Sequence, residues 1–355
     1  MCILLVSCLF RSAELDTTSR ISPKLGKSII DMHVHVAGLG YGSDNFLNQE
    51  MLDNIRFPVY MWAMGVTKEE LKKYGDQIMV EKLSKNIAES KSVSKAVILA
   101  LDGFVDSEGK NKGKLNKFKT QIYVANDYVA EQSAKYDNLI FGASVNPNRH
   151  DALDILRKVK SQGAVLVKWI PSIMNIDPND PKHADFYKLM VELKLALLTH
   201  TGMEKAFAGA VDSLADPLKL KLPLSLGVTV IAAHIATTGK SDGEDNFARI
   251  LPMFKKYPNL YADISSLTQI NKVGYLVAAL KNAGVKKRLL YGTDWPLQFY
   301  PLVSPWYHIA DIKFKDAYTA GGIENQWDRD VAIKTALGVP ASVFMRAKEV
   351  LEIGE

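Results

Sequence analysis

Cysteine is nearly missing from this chain of 355 residues: there are two, Cys2 and Cys8, both at the N-terminal end. No disulfide framework can therefore hold the body of the protein, and no thiolate there can bind a metal, so any cation must be met by nitrogen and oxygen ligands. Long hydrophobic runs are also lacking. The apolar stretch Cys2–Phe10 is far too short to cross a bilayer and has no basic leader of the secretory kind. The expectation is a cytoplasmic protein, with the alternative of a lipid anchor at Cys8 if translation starts upstream, because Leu5-Val6-Ser7-Cys8 resembles a lipoprotein cleavage box. An excess of one charge is missing too: 44 Lys and Arg face 39 Asp and Glu, a net of +5 spread along the chain. The densest basic stretch, Lys110–Lys119, is interleaved with Gly, Asn and Leu and reads as a solvated loop. A nucleic-acid partner is not expected, a small molecule is, and a homo-oligomer is compatible with the composition.

What is present is a soluble globular composition, 47% hydrophobic and 23% charged. Eight short apolar segments recur between longer helical patterns: Ser28–His33, Lys95–Leu101, Leu139–Val145, Ala164–Ile170, Leu195–His200, Val228–His234, Leu260–Ile264 and Arg288–Asp294. Near-continuous apolar strands alternating with helices predict a parallel sheet buried on both faces. Eight of them without a break in composition predict an α/β fold of the (β/α)8 TIM-barrel type, with a doubly wound open sheet as the competitor. Helical spacing of apolar residues is read over Asp151–Ser161, Asp185–Leu193, Asn271–Ala283 and Asp330–Leu337, and a last helix opens at Pro340 and runs to about Leu351. The longest connection, Val36–Ser94, holds Trp62 and the helical run Thr67–Leu71, and reads as an insertion after strand 1 that covers the barrel mouth. Residues 1–27 read as a lead-in and 28–355 as one domain. The loop Phe104–Thr120 is expected to join the insertion as a lid.

Polar residues gather at the strand ends, where a barrel of this kind places its chemistry. Strand 1 ends in Asp31-Met32-His33-Val34-His35. In a strand, alternate side chains share a face, so both imidazoles point one way. Strand 4 ends in Lys168-Trp169, strand 5 in His200-Thr201-Gly202, strand 6 in His234, and strand 8 in Asp294-Trp295-Pro296. Each has an ordinary explanation: core histidines for His200 and His234, and a helix cap for Asp294. Lys168 is harder to explain so, since a lysine ending an apolar strand is costly to bury without a partner. The remaining histidines, His150, His183 and His308, read as surface residues.

The order His-x-His, Lys, His, His, Asp, together with Thr199-His200-Thr201-Gly202 and Tyr291-Gly292-Thr293-Asp294-Trp295-Pro296, resembles the amidohydrolase superfamily. The local phrasing resembles its amidohydrolase-related branch, which includes aminocarboxymuconate-semialdehyde decarboxylase and its relatives. The resemblance covers about residues 28–350 and implies metal ligation by His33, His35, His200 and Asp294. His234 becomes a catalytic acid/base or a second ligand. Lys168 is either a carbamylated bridge between two ions or a free cation that binds a substrate carboxylate or polarises a carbonyl, with one ion favoured.

Nitrogen ligands with one carboxylate suit Zn²⁺, although Mn²⁺, Fe²⁺ and Co²⁺ remain open. A bound divalent ion lowers the pKa of its water to roughly 7. The expected reaction is then hydrolysis of a small amide, ester or lactone, with Asp294 as general base and acid. Decarboxylation of a small unsaturated acid is the alternative, and a barrel that binds metal or ligand without turnover is a third. Asp263 is expected either to orient a ligand histidine or to cap a loop. Trp169, Thr201 and Trp295 are expected, with Lys168, to bind substrate.

Overall fold

Runs of Val, Ile, Leu and Ala with no polar face can pair only where both sides of the sheet are covered. In the computed structural model, which describes residues 26–354, they do so as a closed (β/α)8 barrel. Its strands are β1 (Ile29–His35), β2 (Val93–Leu99), β3 (Leu139–Gly142), β4 (Leu166–Trp169), β5 (Ala196–Thr199), β6 (Val230–Ala232), β7 (Leu260–Asp263) and β8 (Leu289–Leu290). Every neighbouring pair is parallel, in chain order β1-β2-β3 and β4-β5-β6-β7-β8. Single bridges close the two seams: Ala143 pairs with Val167, and Val34 pairs with Trp295. At the second seam Asp294 N donates to His33 O at 2.9 Å and His35 N to Trp295 O at 3.0 Å, which ties the two ends of the barrel beside the residues of interest. The N-terminal lead-in and Cys8 lie outside the described residues.

Two apolar layers hold this barrel. Ile30, Met32, Val97, Leu99, Leu166, Leu198, Ile231 and Leu290 fill its interior, and Ala347 and Leu351 of the last helical turns join that cluster. Ile29, Val34, Ile98, Val167, Leu197, Val230 and Leu260 face outward into a larger cluster with the helices. Along β1 the parity changes: Ile30 and Met32 face in, yet so do His33 and His35. A register shift in the β1–β2 ladder between Asp31 and Val34 accounts for it, since an irregular residue swaps the faces beyond it.

The helices fall close to their sequence patterns, with physical reasons for the differences. Ala152–Ser161 and Ala184–Glu192 match. The helix expected from Asn271 begins instead at Tyr275, because Ile270–Lys272 is a 3-10 turn and Gly274 adopts φ +89°. The helix expected from Asp330 starts at Gln326, where the Asn325 side chain accepts from Trp327 N and Asp328 N. The last one is broken into Ala341–Met345 and Ala347–Val350.

Between β1 and β2, Gln77–Glu89 buries Met79, Val80, Leu83 and Ile87 as an ordinary barrel helix. The insertion proper is the three helices before it, Gln49–Leu52, Phe57–Ala63 and Lys68–Tyr74, and their Met51, Phe57, Met61 and Leu71 roof the mouth. Among the described residues no helix is long and apolar enough to cross a membrane.

Candidate metal centre

The C-terminal ends of the strands open into a cavity of about 200 Å³. Its walls are apolar, including Met61, Met64, Phe207 and Leu297, and its floor holds His35, Lys168, His200, His234, Lys272 and Asp294. Backbone geometry brings these groups in. Asp294 sits just past β8 at φ +64°, and His234, Ile235 and Ala236 follow β6 at φ +55°, +54° and +57°. Non-glycine residues adopt this left-handed region at a cost, and the surrounding structure must impose it. Gly292 allows the closest approach: a Cβ there would stand 2.9 Å from the His33 Cβ.

His33 is the hub. Its Nδ1 lies 2.8 Å from Asp263 Oδ2, so Nδ1 carries the proton and donates to that carboxylate, leaving a lone pair on Nε2. That lone pair faces His35 Nε2 at 3.2 Å, Asp294 Oδ1 at 3.4 Å and Lys168 Nζ at 2.9 Å. His35 Nε2 is 3.3 Å from the same Asp294 oxygen. Electron-rich atoms packed this closely require a positive charge between or beside them. The groups His33–His35–Asp294 and His33–His234–Asp263 both have the spacing to hold an ion.

Burial, followed by the nearby Lys168 ammonium, pulls the His33 pKa down to about 4, so the ring is neutral and able to ligate at neutral pH. Burial also keeps His200 and His234 neutral. For Asp294 burial works upward, but His234, the hydrogen bond to His35 and His33 prevail and hold the carboxyl well below the usual range. Asp263 behaves likewise: burial raises it, and His33 more than offsets the rise. Lys168, 1% exposed, is lowered by burial to about 8.

Asp263 does more than cap a loop. Besides His33 it accepts from His234 N at 2.9 Å and Ser265 N at 3.1 Å, and from the Ser265 hydroxyl. It thus fixes two histidines at once, an arrangement in which a carboxylate sets the tautomer of a ligand imidazole. His234 Nδ1 lies 3.1 Å from the Ser265 carbonyl, which can only accept, so its free lone pair is on Nε2, 3.8 Å from Asp294 Oδ2.

His200 belongs to neither close group. Its ring centroid is 5.4 Å from that of His234, its Nδ1 is 3.6 Å from Glu204, and its Nε2 is buried without a partner. An orphaned imidazole nitrogen beside this donor set fits a cation, and the residues present are those a divalent ion needs.

Asp31, first residue of the Asp-x-His-x-His run, is turned away from the cluster of His33, His35 and Asp294. It accepts from Thr293 N and Oγ1, from Trp327 Nε1 and from His33 N, at 3.0, 2.6, 2.8 and 3.1 Å. Burial still lifts its pKa to about 6.

Several expectations about the walls need correction. Trp169 faces outward: its ring packs 5.7 Å from Phe186 and 6.0 Å from Tyr187, and Nε1 donates to Val145 O. Trp295 is buried with its ring stacked 6.1 Å from Trp327, and Thr201 donates to Ala233 O. None of the three lines the cavity; Trp169 follows Lys168 within β4, where adjacent side chains point to opposite faces. No residue of Phe104–Thr120 reaches it either.

His183 and His308 are buried rather than on the surface. His183 bonds Asp177 O and Asn148 Oδ1, and His308 bonds Thr268 O. His150 is exposed as expected.

The sequence reading missed Glu204, Lys272, Ser265 and Ser266. Glu204 stands four residues past His200 on the same rim, a spacing that offered a signal, whereas Lys272 was hidden inside an amphipathic pattern.

A parallel eight-stranded barrel with paired histidines and buried carboxylates at its C-terminal rim defines a class of barrels built around a nitrogen- and oxygen-ligated cation. The chain belongs to the amidohydrolase family, whose model matches residues 30–317. No curated protein matches it. Among solved structures it is similar to a TIM-barrel protein from Bordetella bronchiseptica, at 15% identity and a TM-score of 0.52, covering 86% of this chain and 99% of that one. It also matches IDCase from Metarhizium anisopliae, at 12% identity and a TM-score of 0.48, over 92% of this chain and 98% of that one. A third match is 5-carboxyvanillate decarboxylase from Sphingomonas paucimobilis, at 12% identity and a TM-score of 0.46, over 92% and 100%. The first of these likenesses supports the barrel fold.

Proposed function

We propose that the protein is a metal-dependent hydrolase acting at the carbonyl of a small amide, ester or lactone with a largely apolar body. The observation that carries this reading is the ionised Asp294 carboxylate, within 3.3–3.8 Å of His33, His35 and His234 at the base of the cavity. His33, His35 and Asp294 would hold one ion, with the free Nε2 of His200 completing the set, and such a donor set suits Zn²⁺. A divalent ion supplies a Lewis acid and makes a water acidic enough to attack near neutral pH.

The side chains then divide the remaining work. Asp294, held as a carboxylate, takes the proton from the attacking water and delivers it to the leaving group. His234 offers a neutral Nε2 beside Asp294 and receives or relays the same proton. Lys168 remains a free ammonium and stabilises negative charge growing on the carbonyl oxygen. The apolar roof excludes bulk water from the floor.

Decarboxylation of a small unsaturated acid is the second reading, and Lys168 favours it: among the described residues no carboxylate lies within ion-pair distance of its Nζ, which leaves it able to hold a substrate carboxylate. The test is a panel of esters, lactones, amides and unsaturated carboxylates given to protein purified without chelators. Acid release without CO₂ supports hydrolysis. CO₂ release without water-dependent cleavage replaces it with decarboxylation, and binding without turnover of any member replaces both with a non-catalytic barrel.

A further inference from the structure

Lys272 ends the short turn Ile270–Lys272 that follows β7, and the function proposed above makes no use of it. It is 8% exposed and lines the same cavity. Its Nζ donates one hydrogen bond, to Ser266 Oγ at 2.6 Å. An ammonium has three donors, so two remain. No carboxylate among the described residues lies within ion-pair distance of it.

The acids that act on Lys272 through space are Asp294, Glu204 and Asp263, with Lys205 opposing them. All three acids are committed elsewhere. Asp294 faces His33 and His35, and Asp263 holds His33. Glu204 accepts from Ala206 N at 2.6 Å and reaches toward His200. Burial accordingly depresses the lysine to about 8. A buried cation with spare donors in the floor of an apolar cavity is costly unless a counter-charge arrives with the ligand.

We propose that Lys272 anchors a carboxylate on the substrate, so that the ligands of this cavity are apolar carboxylic acids whose reacting bond lies elsewhere in the molecule. This deepens the hydrolase reading and rests on it for the reacting bond. Lys272 holds the anion from the β7–β8 side, and Lys168 faces the reacting carbonyl beside His33. One spare ammonium suits a monoanion, and the methionine and phenylalanine walls suit a ring or short alkyl chain. Lys272 here is a binding residue that sets specificity, and it takes no part in proton transfer.

The test compares 4-phenylbutyrate with its neutral amide, 4-phenylbutanamide, by calorimetry on the protein with its metal bound. Wild type is expected to bind the acid at least tenfold more tightly than the amide. Lys272→Met is expected to bring the two within about twofold, with metal content unchanged, and Lys272→Arg to keep most of the preference. If Lys272→Met does not fold, Lys272→Gln against Lys272→Arg gives the same contrast.

Equal binding of acid and amide by wild type overturns the proposal. So does a preference that survives Lys272→Met, since the acid is then held by the metal or by Lys168. Because this readout is binding, it fails independently of the panel of reactions that tests hydrolysis.

Discussion

Lys334 and Lys272 are both buried lysines of one barrel, and they live differently. Lys334 Nζ donates to Asp330 Oδ2 at 2.6 Å and Gly292 O at 2.8 Å, and lies 4.9 Å over the Tyr291 ring. Lys272, at the mouth, has one serine hydroxyl. The same contrast separates the carboxylates. Asp328 is wrapped by Ser90 Oγ, Lys91 N and Ser92 N, and Asp102 takes a two-pronged pair of 2.7 Å bonds from Arg149. Asp294 meets mainly imidazoles. Around the barrel wall, buried charge is matched within the chain and serves to lock elements together. At the C-terminal rim it is left partly unmatched, along with His200 Nε2 and the strained backbone at His234 and Asp294. The difference marks where the fold expects something from outside: a cation for the lone pairs, an anion for the ammonium.

Substitutions at the rim should have the largest effects. His33→Ala should reduce turnover to the uncatalysed background while circular dichroism stays native. Substantial remaining activity would detach the chemistry from this cluster. Asp294→Asn should lower kcat by about 10²–10⁴-fold, the usual weight of a general base, with KM changed far less. A raised KM with kcat unchanged would make Asp294 a binding group only. Asp263→Asn should weaken metal affinity by about 10–100-fold, as removal of a ligand's orienting partner does, measured by competition with a chelator.

The two lysines sharpen the contrast on the stability side. Lys334→Met should destabilise by about 3 kcal/mol, because it strands the buried Asp330 carboxylate. Lys272→Met should be neutral or gain about 1 kcal/mol, because no charged partner is stranded. The sign of the pH dependence follows from the lowered pKa. The folded chain gives up the Lys272 proton near pH 8, whereas an ordinary lysine keeps it to about 10.5. The penalty for burying the charge is complete below pH 8 and is relieved as pH rises toward 10.5. Urea unfolding at pH 7 and pH 9.5 should therefore show wild type gaining on Lys272→Met at the higher pH. A constant difference would place the lysine in water.

Much of this architecture was legible in the chain because parallel strands must be apolar on both faces, and eight such segments stand out between amphipathic helices. The rim residues His33, His35, His200, His234 and Asp294 were legible for the related reason that polar groups closing apolar strands demand an explanation. Side-chain direction was less so. Trp169 and Trp295 follow site residues in sequence, but the strand period in β4 and the left-handed turn at Asp294 send their rings away from the cavity, where Phe186, Tyr187 and Trp327 receive them. The register shift in β1 depends on its pairing with β2, and the surroundings of Lys272 on the separate segments that carry Glu204, Asp263 and Asp294, none of which a local pattern encodes. His183 and His308 were misread because a polar residue in a loop context says nothing of the backbone carbonyls that will satisfy it.

The most direct test is elemental analysis of the protein purified without chelators, beside His33→Ala handled identically. At least one equivalent of a divalent ion per wild-type chain, lost in the variant, is the expected result. A wild-type chain that is free of metal yet active, or a metal content indifferent to His33, would contradict the account.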